Sequence, residues 1–194
     1  GEVHTDVLII GGGIAGLCCA HALQEAGISC IVAEQGRLAA GNTLGTTAKV
    51  TAQHGLCYDR LLRRFGTEAA QAYLHGNLAA VDTIAALARR IDCDFSQASH
   101  IVYARSGVQQ LETEALALEK LGYHADFRDN LPLPFPTDGG IAFPEQGYFH
   151  PLKFLSAIAD ELTVYENTPV RRLEKGAAVT DRGVIRADAF VVAT

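Results

Sequence analysis

The chain has 194 residues, 48% apolar and 20% charged, with a net charge of −6. That length suffices for one good core, or for one domain and part of another. Acids and bases are interspersed and the balance is acidic, so neither nucleic acid nor an anionic membrane is an expected partner.

Five cysteines, Cys18, Cys19, Cys30, Cys57 and Cys93, make an odd set without a C-x-x-C pair. Free thiols packed as small hydrophobes in a reducing cytoplasm are expected, rather than a disulfide framework. The seven histidines are scattered, none at ligand spacing from a cysteine or another histidine, so no metal site is expected. Residues 7–22 are mostly apolar, but Glu2 and Asp6 stand where a secretion signal needs positive charge, and three glycines interrupt the run. No stretch is long and apolar enough to span a membrane.

Residues 7–10, Val-Leu-Ile-Ile, predict a strand buried on both faces. Gly11, Gly12 and Gly13 break it, residues 14–26 carry apolar residues at helical spacing, and Gly27 stops the helix. Residues 29–33 are the next buried strand, completing a βαβ unit. Residues 36–55 are rich in Gly, Thr, Ala and Asn and predict a long functional loop. Helices are expected over 56–65 and 67–91, the second burying one face through Ala70, Tyr73, Leu74, Leu78, Val81, Ile84, Ala85 and Leu87.

Beyond Asp92 the predicted elements are a strand at 101–104, a helix at 108–121 ended by Gly122, a strand at 123–127, a proline-rich loop at 131–136 and a short strand at 140–143. This block reads as an inserted α+β region. A helix at 151–162 follows, then strands at 163–166, 170–174, 177–180 and 184–187, with a hairpin turn at Asp181-Arg182-Gly183. A last buried strand is predicted at 189–193.

The most informative signal is Gly11-x-Gly13-x-x-Gly16 between a strand and a helix. The first glycine permits the tight turn, the second lets a pyrophosphate approach the backbone, and the third lets helix and sheet pack closely. Ile14, Ala15 and Gly16 open the helix, whose N-terminus offers N–H groups and a positive dipole end to phosphate. Glu34 ends the second strand, placed to accept from ribose hydroxyls and to disfavour a 2′-phosphate. This unit serves FAD and NAD alike.

Residues 6–16 with Glu34, followed by Thr46-Thr47-Ala48-Lys49-Val50-Thr51-Ala52-Gln53-His54-Gly55, resemble the FAD-dependent oxidoreductases of the D-amino-acid oxidase type. Glycine and sarcosine oxidases belong to that superfamily. The nearest likeness is to a bacterial branch in which some members carry a C-terminal Rieske iron–sulfur domain. The resemblance implies an α/β fold: a Rossmann-like FAD/NAD(P)-binding domain with an inserted α+β portion of a substrate domain, truncated at the C-terminus. The expected division is residues 1–93 and 150–194 for FAD binding and 94–149 for the insertion.

It also implies roles. Gly11, Gly13, Ile14, Ala15, Gly16, Glu34 and Gln35 would hold the ADP half of FAD, and Arg37 would approach the adenosine ribose or a phosphate unless it is a solvated loop residue. The region from Gly41 through Thr46, Thr47, Ala48 and Lys49 to Val50 would wrap the pyrophosphate and the flavin edge. Val170, in Thr168-Pro169-Val170, would meet the adenine edge through its backbone. Val191-Val192-Ala193-Thr194 looks like the start of the family's second cofactor motif, without its following glycine, so an N-terminal fragment of a longer flavoprotein is expected. Leu44 and Gly45 precede Thr46, so covalent flavin attachment through a histidine there is not supported.

Lys49 and His54 are the candidate catalytic residues. Lys49 would favour negative charge on reduced flavin; an exposed loop lysine is the plain alternative. His54 would lie near the ring, or serve as a cap. His150 could face a substrate cavity, whereas His21 suits packing and Arg63 and Arg64 suit a helix surface. The expected activity is oxidation of a small amine or amino acid, with electrons passed to oxygen or a redox partner, and a dimer is conceivable. The rivals are an NAD-dependent dehydrogenase and a non-catalytic nucleotide-binding module.

Overall fold

The computed structural model describes residues 1–194, apart from the side chains of Asn42 and Leu44. In chain order the elements are β1 (Glu2–Ile10), α1 (Ile14–Glu25), β2 (Cys30–Ala33), a 3₁₀ turn (Asn42–Gly45), β3 (Lys49–Val50), α2 (Tyr58–Ala88), β4 (Ser96–Ala104), α3 (Gln109–Lys120), β5 (Asp126–Arg128), β6 (Gly139–Tyr148), α4 (Pro151–Ala159), β7 (Val164–Tyr165), β8 (Val170–Glu174), β9 (Ala177–Thr180) and β10 (Gly183–Val192). They form two compact units, residues 1–47 with 150–194, and residues 48–149.

The first unit is built on a six-stranded sheet ordered β7-β2-β1-β10-β9-β8. β7, β2, β1 and β10 are parallel; β9 and β8 continue antiparallel. Leu8 and Ile9 are fully buried, as the apolar run predicts. Leu8, Ile31, Ala33, Ala178, Ile185 and Ala187 form one core cluster. α1 buries Gly16, Leu17 and Ala20. α4 starts at Pro151, with Phe154, Leu155 and Ile158 inward. His150 caps that helix: its Nδ1 accepts from the Lys153 N–H at 3.4 Å.

Two strands differ from expectation. β1 begins at Glu2 and not at Val7, because β10 pairs alongside it from Glu2↔Val184 to Ile10↔Val192. For the same reason the strands predicted at 184–187 and 189–193 are one continuous β10. Its end is less buried than predicted, and Val192 is 63% exposed. β9 pairs with β10 only over Gly183–Arg186, so the far half of β10 is flanked by β1 alone in this sheet.

The second unit is centred on β6. β4 pairs along one edge, and β3 and β5 pair at opposite ends of the other. β6 runs well beyond the predicted 140–143, since Pro144 and Gly147 mask the pattern. An irregularity between Ala98 and His100, facing Gln146 and Phe143, accommodates that proline. The Gln146 amide ties the region together, accepting from Ala52 N–H at 2.7 Å and donating to the Pro144 carbonyl at 2.7 Å. The two predicted helices form one run broken at Gly66 (φ 81°, ψ 175°), close to the predicted junction.

No side chain of its own caps α2. The buried Glu114 of α3 does so instead, accepting from the N–H groups of Tyr58 at 2.8 Å and Asp59 at 2.9 Å. Tyr58 and Tyr123 stack on Phe143, with ring centroids 6.2 and 4.7 Å away. Contacts thus group residues 48–93 with 94–149, whereas sequence texture placed them with the nucleotide fold. β3 pairs with β6, and α2 packs on α3, which draws that segment into the second unit.

Candidate functional site

The glycine loop is the sharpest feature of the first unit. At Gly11 (φ +115°) a Cβ would lie 2.5 Å from the Ala193 carbonyl oxygen, and at Gly16 it would lie 2.0 Å from the Gly11 carbonyl oxygen. Gly12, outside the fingerprint, is crowded too, its Cβ position being 2.5 Å from Leu38 Cδ2. Gly13 is different, for a Cβ there would meet only Thr43 Oγ1, at an ordinary 3.5 Å. Backbone atoms therefore require glycine at positions 11 and 16, whereas at Gly12 the close neighbour is the tip of the Leu38 side chain and at Gly13 there is room for a Cβ. The space beside Gly13 fits a phosphate group approaching the backbone.

α1 starts with no side-chain cap at Gly13 and no acid in its first turn. The Ile14 N–H donates to Thr43 Oγ1 at 3.3 Å. Ala15 and Gly16, in the first turn, have no intrahelical acceptor for their N–H groups. The positive end of the helix is thus available to an anion.

The Glu34 carboxylate accepts from the Gly12 N–H at 2.7 Å and the Gly36 N–H at 2.7 Å. Each oxygen keeps a second lone pair, which suits a ribose diol. The backbone around it is pinned to β7 and the connection that follows: Glu34 N–H donates to the Tyr165 carbonyl at 3.0 Å, and Thr168 N–H donates to the Glu34 carbonyl at 2.8 Å. Gln35 and Arg37 are exposed. Arg37 is not simply solvated: its Nε lies 3.2 Å from Glu166. Val170 opens β8, packed against the core cluster. Thr194 follows Ala193, whose N–H donates to the Ile10 carbonyl at 2.8 Å, so it lies beside Gly11. Thr46 and Thr47, both exposed, end the first segment of this unit.

Ala48 and Lys49 fall in the second unit. Ala48 is buried with φ 45°, and Lys49 is exposed on β3. His54 Nδ1 and Tyr73 Oη are 2.9 Å apart. Sequence reasoning did not single out His100, whose charge state responds to both catalytic candidates. His100, half-buried on β4, titrates below the ordinary imidazole range, first because burial disfavours its cation and then through the positive charges of Lys49 and His54. Gln53 is 2% exposed, and among the described residues neither amide atom has a hydrogen-bond partner. Such a group calls for a water or a ligand. Glu166 and Glu114 were missed as well, and Thr43 was covered only as part of the Gly41–Val50 region; their partners lie too far along the chain for a local pattern to reveal.

Among the described residues no disulfide bond is found between the cysteines. Burial, with Cys19 nearby, pushes the Cys18 thiol up to about 11, and burial also raises Cys30 and Cys57. Among the described residues no group of three or more His, Cys, Asp or Glu could hold a metal ion, and no helix is long and apolar enough to cross a membrane.

A parallel sheet whose first strand turns through glycines into an uncapped helix, with a carboxylate closing the second strand, defines a dinucleotide-binding α/β protein of the Rossmann type. Residues 6–194 match the FAD-dependent oxidoreductase family DAO, and the chain belongs to that family. Family membership resolves the choice of cofactor left open by the βαβ unit in favour of FAD. The chain is 34% identical over 184 residues to YhfW of Bacillus subtilis (strain 168), named as a Rieske 2Fe-2S iron–sulfur protein, covering 90% of this chain and 36% of that protein.

Its fold is similar to L-proline dehydrogenase from P. horikoshii (TM-score 0.78, 18% identity, 100% of this chain and 53% of that one). It is also similar to glycine oxidase from Geobacillus kaustophilus (TM-score 0.73, 18% identity, 99% and 55%) and to L-amino acid deaminase from Proteus vulgaris (TM-score 0.70, 17% identity, 98% and 47%). The chain thus spans about half the length of these solved structures and about a third of YhfW.

Proposed function

We propose that this chain forms the FAD-binding part, with a portion of the substrate domain, of an oxidoreductase acting on a small amine or amino acid. The observation that carries the proposal is the open space at Gly13, together with a Glu34 carboxylate oriented by the N–H groups of Gly12 and Gly36. In this reading the loop from Gly11 to Gly16, with Ile14 and Ala15, takes the pyrophosphate. Glu34 and Gln35 hold the adenosine ribose, Val170 meets the adenine edge, and Thr46, Thr47, Ala48 and Thr194 serve the remainder of the cofactor. Bound FAD supplies a hydride acceptor for a C–H bond next to nitrogen. Lys49 contributes positive charge, and His54, held by Tyr73, is the second catalytic candidate.

The amino-acid class is supported by the proline dehydrogenase, glycine oxidase and amino acid deaminase among the similar folds. The likeness to YhfW favours an iron–sulfur acceptor as a second reading of where the electrons go. Denaturing extraction of the purified full-length protein should release FAD, and anaerobic addition of amino acids should bleach the bound flavin. A colourless protein that binds only NAD would reject the proposal. Bound FAD that no amine or amino acid bleaches would favour a non-catalytic nucleotide-binding module.

A further inference from the structure

We infer that Glu166 is a positioning residue for the adenosine half of the cofactor, acting through the loop that follows Glu34. The inference rests on the proposed FAD site. Glu166 lies in the β7–β8 connection, 128 residues beyond the loop it holds. One carboxylate oxygen accepts from the Leu38 N–H at 2.7 Å, and the other lies 3.2 Å from Arg37 Nε.

Leu38 is the link to the phosphate loop. Its Cδ2 sits 2.5 Å from where a Gly12 Cβ would be, so the leucine covers Gly12 closely. The next residue adds a second tie, Ala39 N–H donating to the Gly12 carbonyl at 3.0 Å. Gly12 in turn donates its N–H to Glu34. A run of contacts therefore leads from Glu166 through Leu38 to Gly12 and Glu34, the two elements that would grip pyrophosphate and ribose. Asn167 N–H, donating to the Gly36 carbonyl at 2.8 Å, anchors the same loop one residue on.

The two bonds of Glu166 are not equivalent. The Arg37 side chain is 77% exposed, and an ion pair in that setting contributes little. The Leu38 N–H bond is partly buried and charge-assisted. Positioning should therefore depend on an acceptor at residue 166 more than on its charge. On this inference Arg37 is a bystander in cofactor binding, where the sequence offered either an approach to the ribose or a phosphate or a loop position in solvent.

The test is made in the full-length protein, stripped of cofactor and titrated with FAD and, separately, with ADP. Glu166→Ala should weaken both by about tenfold, equivalent to about 1.4 kcal/mol. The absorption spectrum and midpoint potential of the flavin it still binds should be unchanged, because only the ADP half is loosened. Glu166→Gln keeps an acceptor for Leu38 and should stay within about threefold of the parent, as should Arg37→Ala. Equal FAD affinity in the parent and Glu166→Ala overturns the inference, as does a tenfold loss in Glu166→Gln. If Glu166→Ala does not fold, Glu166→Asp takes its place: it keeps the charge but draws the acceptor back from the Leu38 N–H, so it should lose FAD and ADP affinity, and parental affinity there overturns the inference. A parent protein that takes no FAD would sink the underlying functional reading instead.

Discussion

Gly13→Ala and Gly16→Ala should separate a glycine kept for a ligand from one kept for the fold. At Gly16 the new methyl would stand 2.0 Å from the Gly11 carbonyl oxygen, so backbone must move. Forced overpacking of that kind costs about 1–3 kcal/mol, sometimes more. In a protein of this size each kcal/mol lowers Tm by roughly 2–4 °C. At Gly13 the methyl meets only Thr43 Oγ1 at 3.5 Å, and the backbone (φ −82°, ψ −175°) is extended and open to alanine. The small loss of cap preference and the small gain from a stiffer unfolded chain roughly cancel, so apoprotein stability should change by less than about 1 kcal/mol. The same methyl would occupy the space assigned to pyrophosphate. An overpacking cost of about 1–3 kcal/mol there corresponds to roughly 5–150-fold weaker FAD binding. Urea unfolding of the apoprotein and fluorescence titration with FAD read the two effects separately. Gly13→Ala with parental FAD affinity, or with an apoprotein as destabilised as Gly16→Ala, would refute the assignment.

Glu34→Gln should lose both affinity and stability, because the Gly12 and Gly36 N–H groups bond to different carboxylate oxygens and an amide opposes one of them with its own N–H; a cost of about 1–3 kcal/mol in apoprotein unfolding is expected. Glu114→Ala should destabilise the fold by about 2–4 kcal/mol, since two charge-assisted bonds at the start of α2 disappear, and an unchanged urea midpoint would contradict that role. His100 has its folded pKa below the unfolded value, so the unfolded chain binds its proton more readily. Its contribution to stability is present above the unfolded pKa of about 6.5 and is lost as pH falls from there. His100→Gln should flatten the decline of the urea midpoint over that window. Lys49→Met should raise the His100 pKa, measured by NMR, while leaving it below the unperturbed value because burial persists; no movement would show that the two groups do not interact.

The βαβ unit was legible because its signals are local. Val-Leu-Ile-Ile, the glycines and the helix that follows lie within twenty residues, and each local preference agrees with the fold around it. The break at Gly66 and the hairpin at residues 181–183 were legible for the same reason. β6 was not, because Pro144 and Gly147 argue locally against a strand that β4 stabilises along its length. The grouping of residues 48–93 was hidden too. It depends on β3 joining β6, a pairing of two residues that periodicity does not detect.

Legibility of the candidate site divides along the same line. Gly13 and Glu34 are identified by spacing within one supersecondary unit. Glu166 and His100 acquire their meaning only from partners that strand register brings to them, across 128 residues for Glu166 and Leu38. The fingerprint and its support therefore differ in kind. A glycine spacing specifies where a phosphate can approach, since that geometry is a property of one turn. What keeps the turn in place is set by a strand connection folded in from elsewhere, and many side chains could do it. Glu166 is one such solution: an acceptor of the right reach at the end of β7, invisible until β7 is seen beside β2.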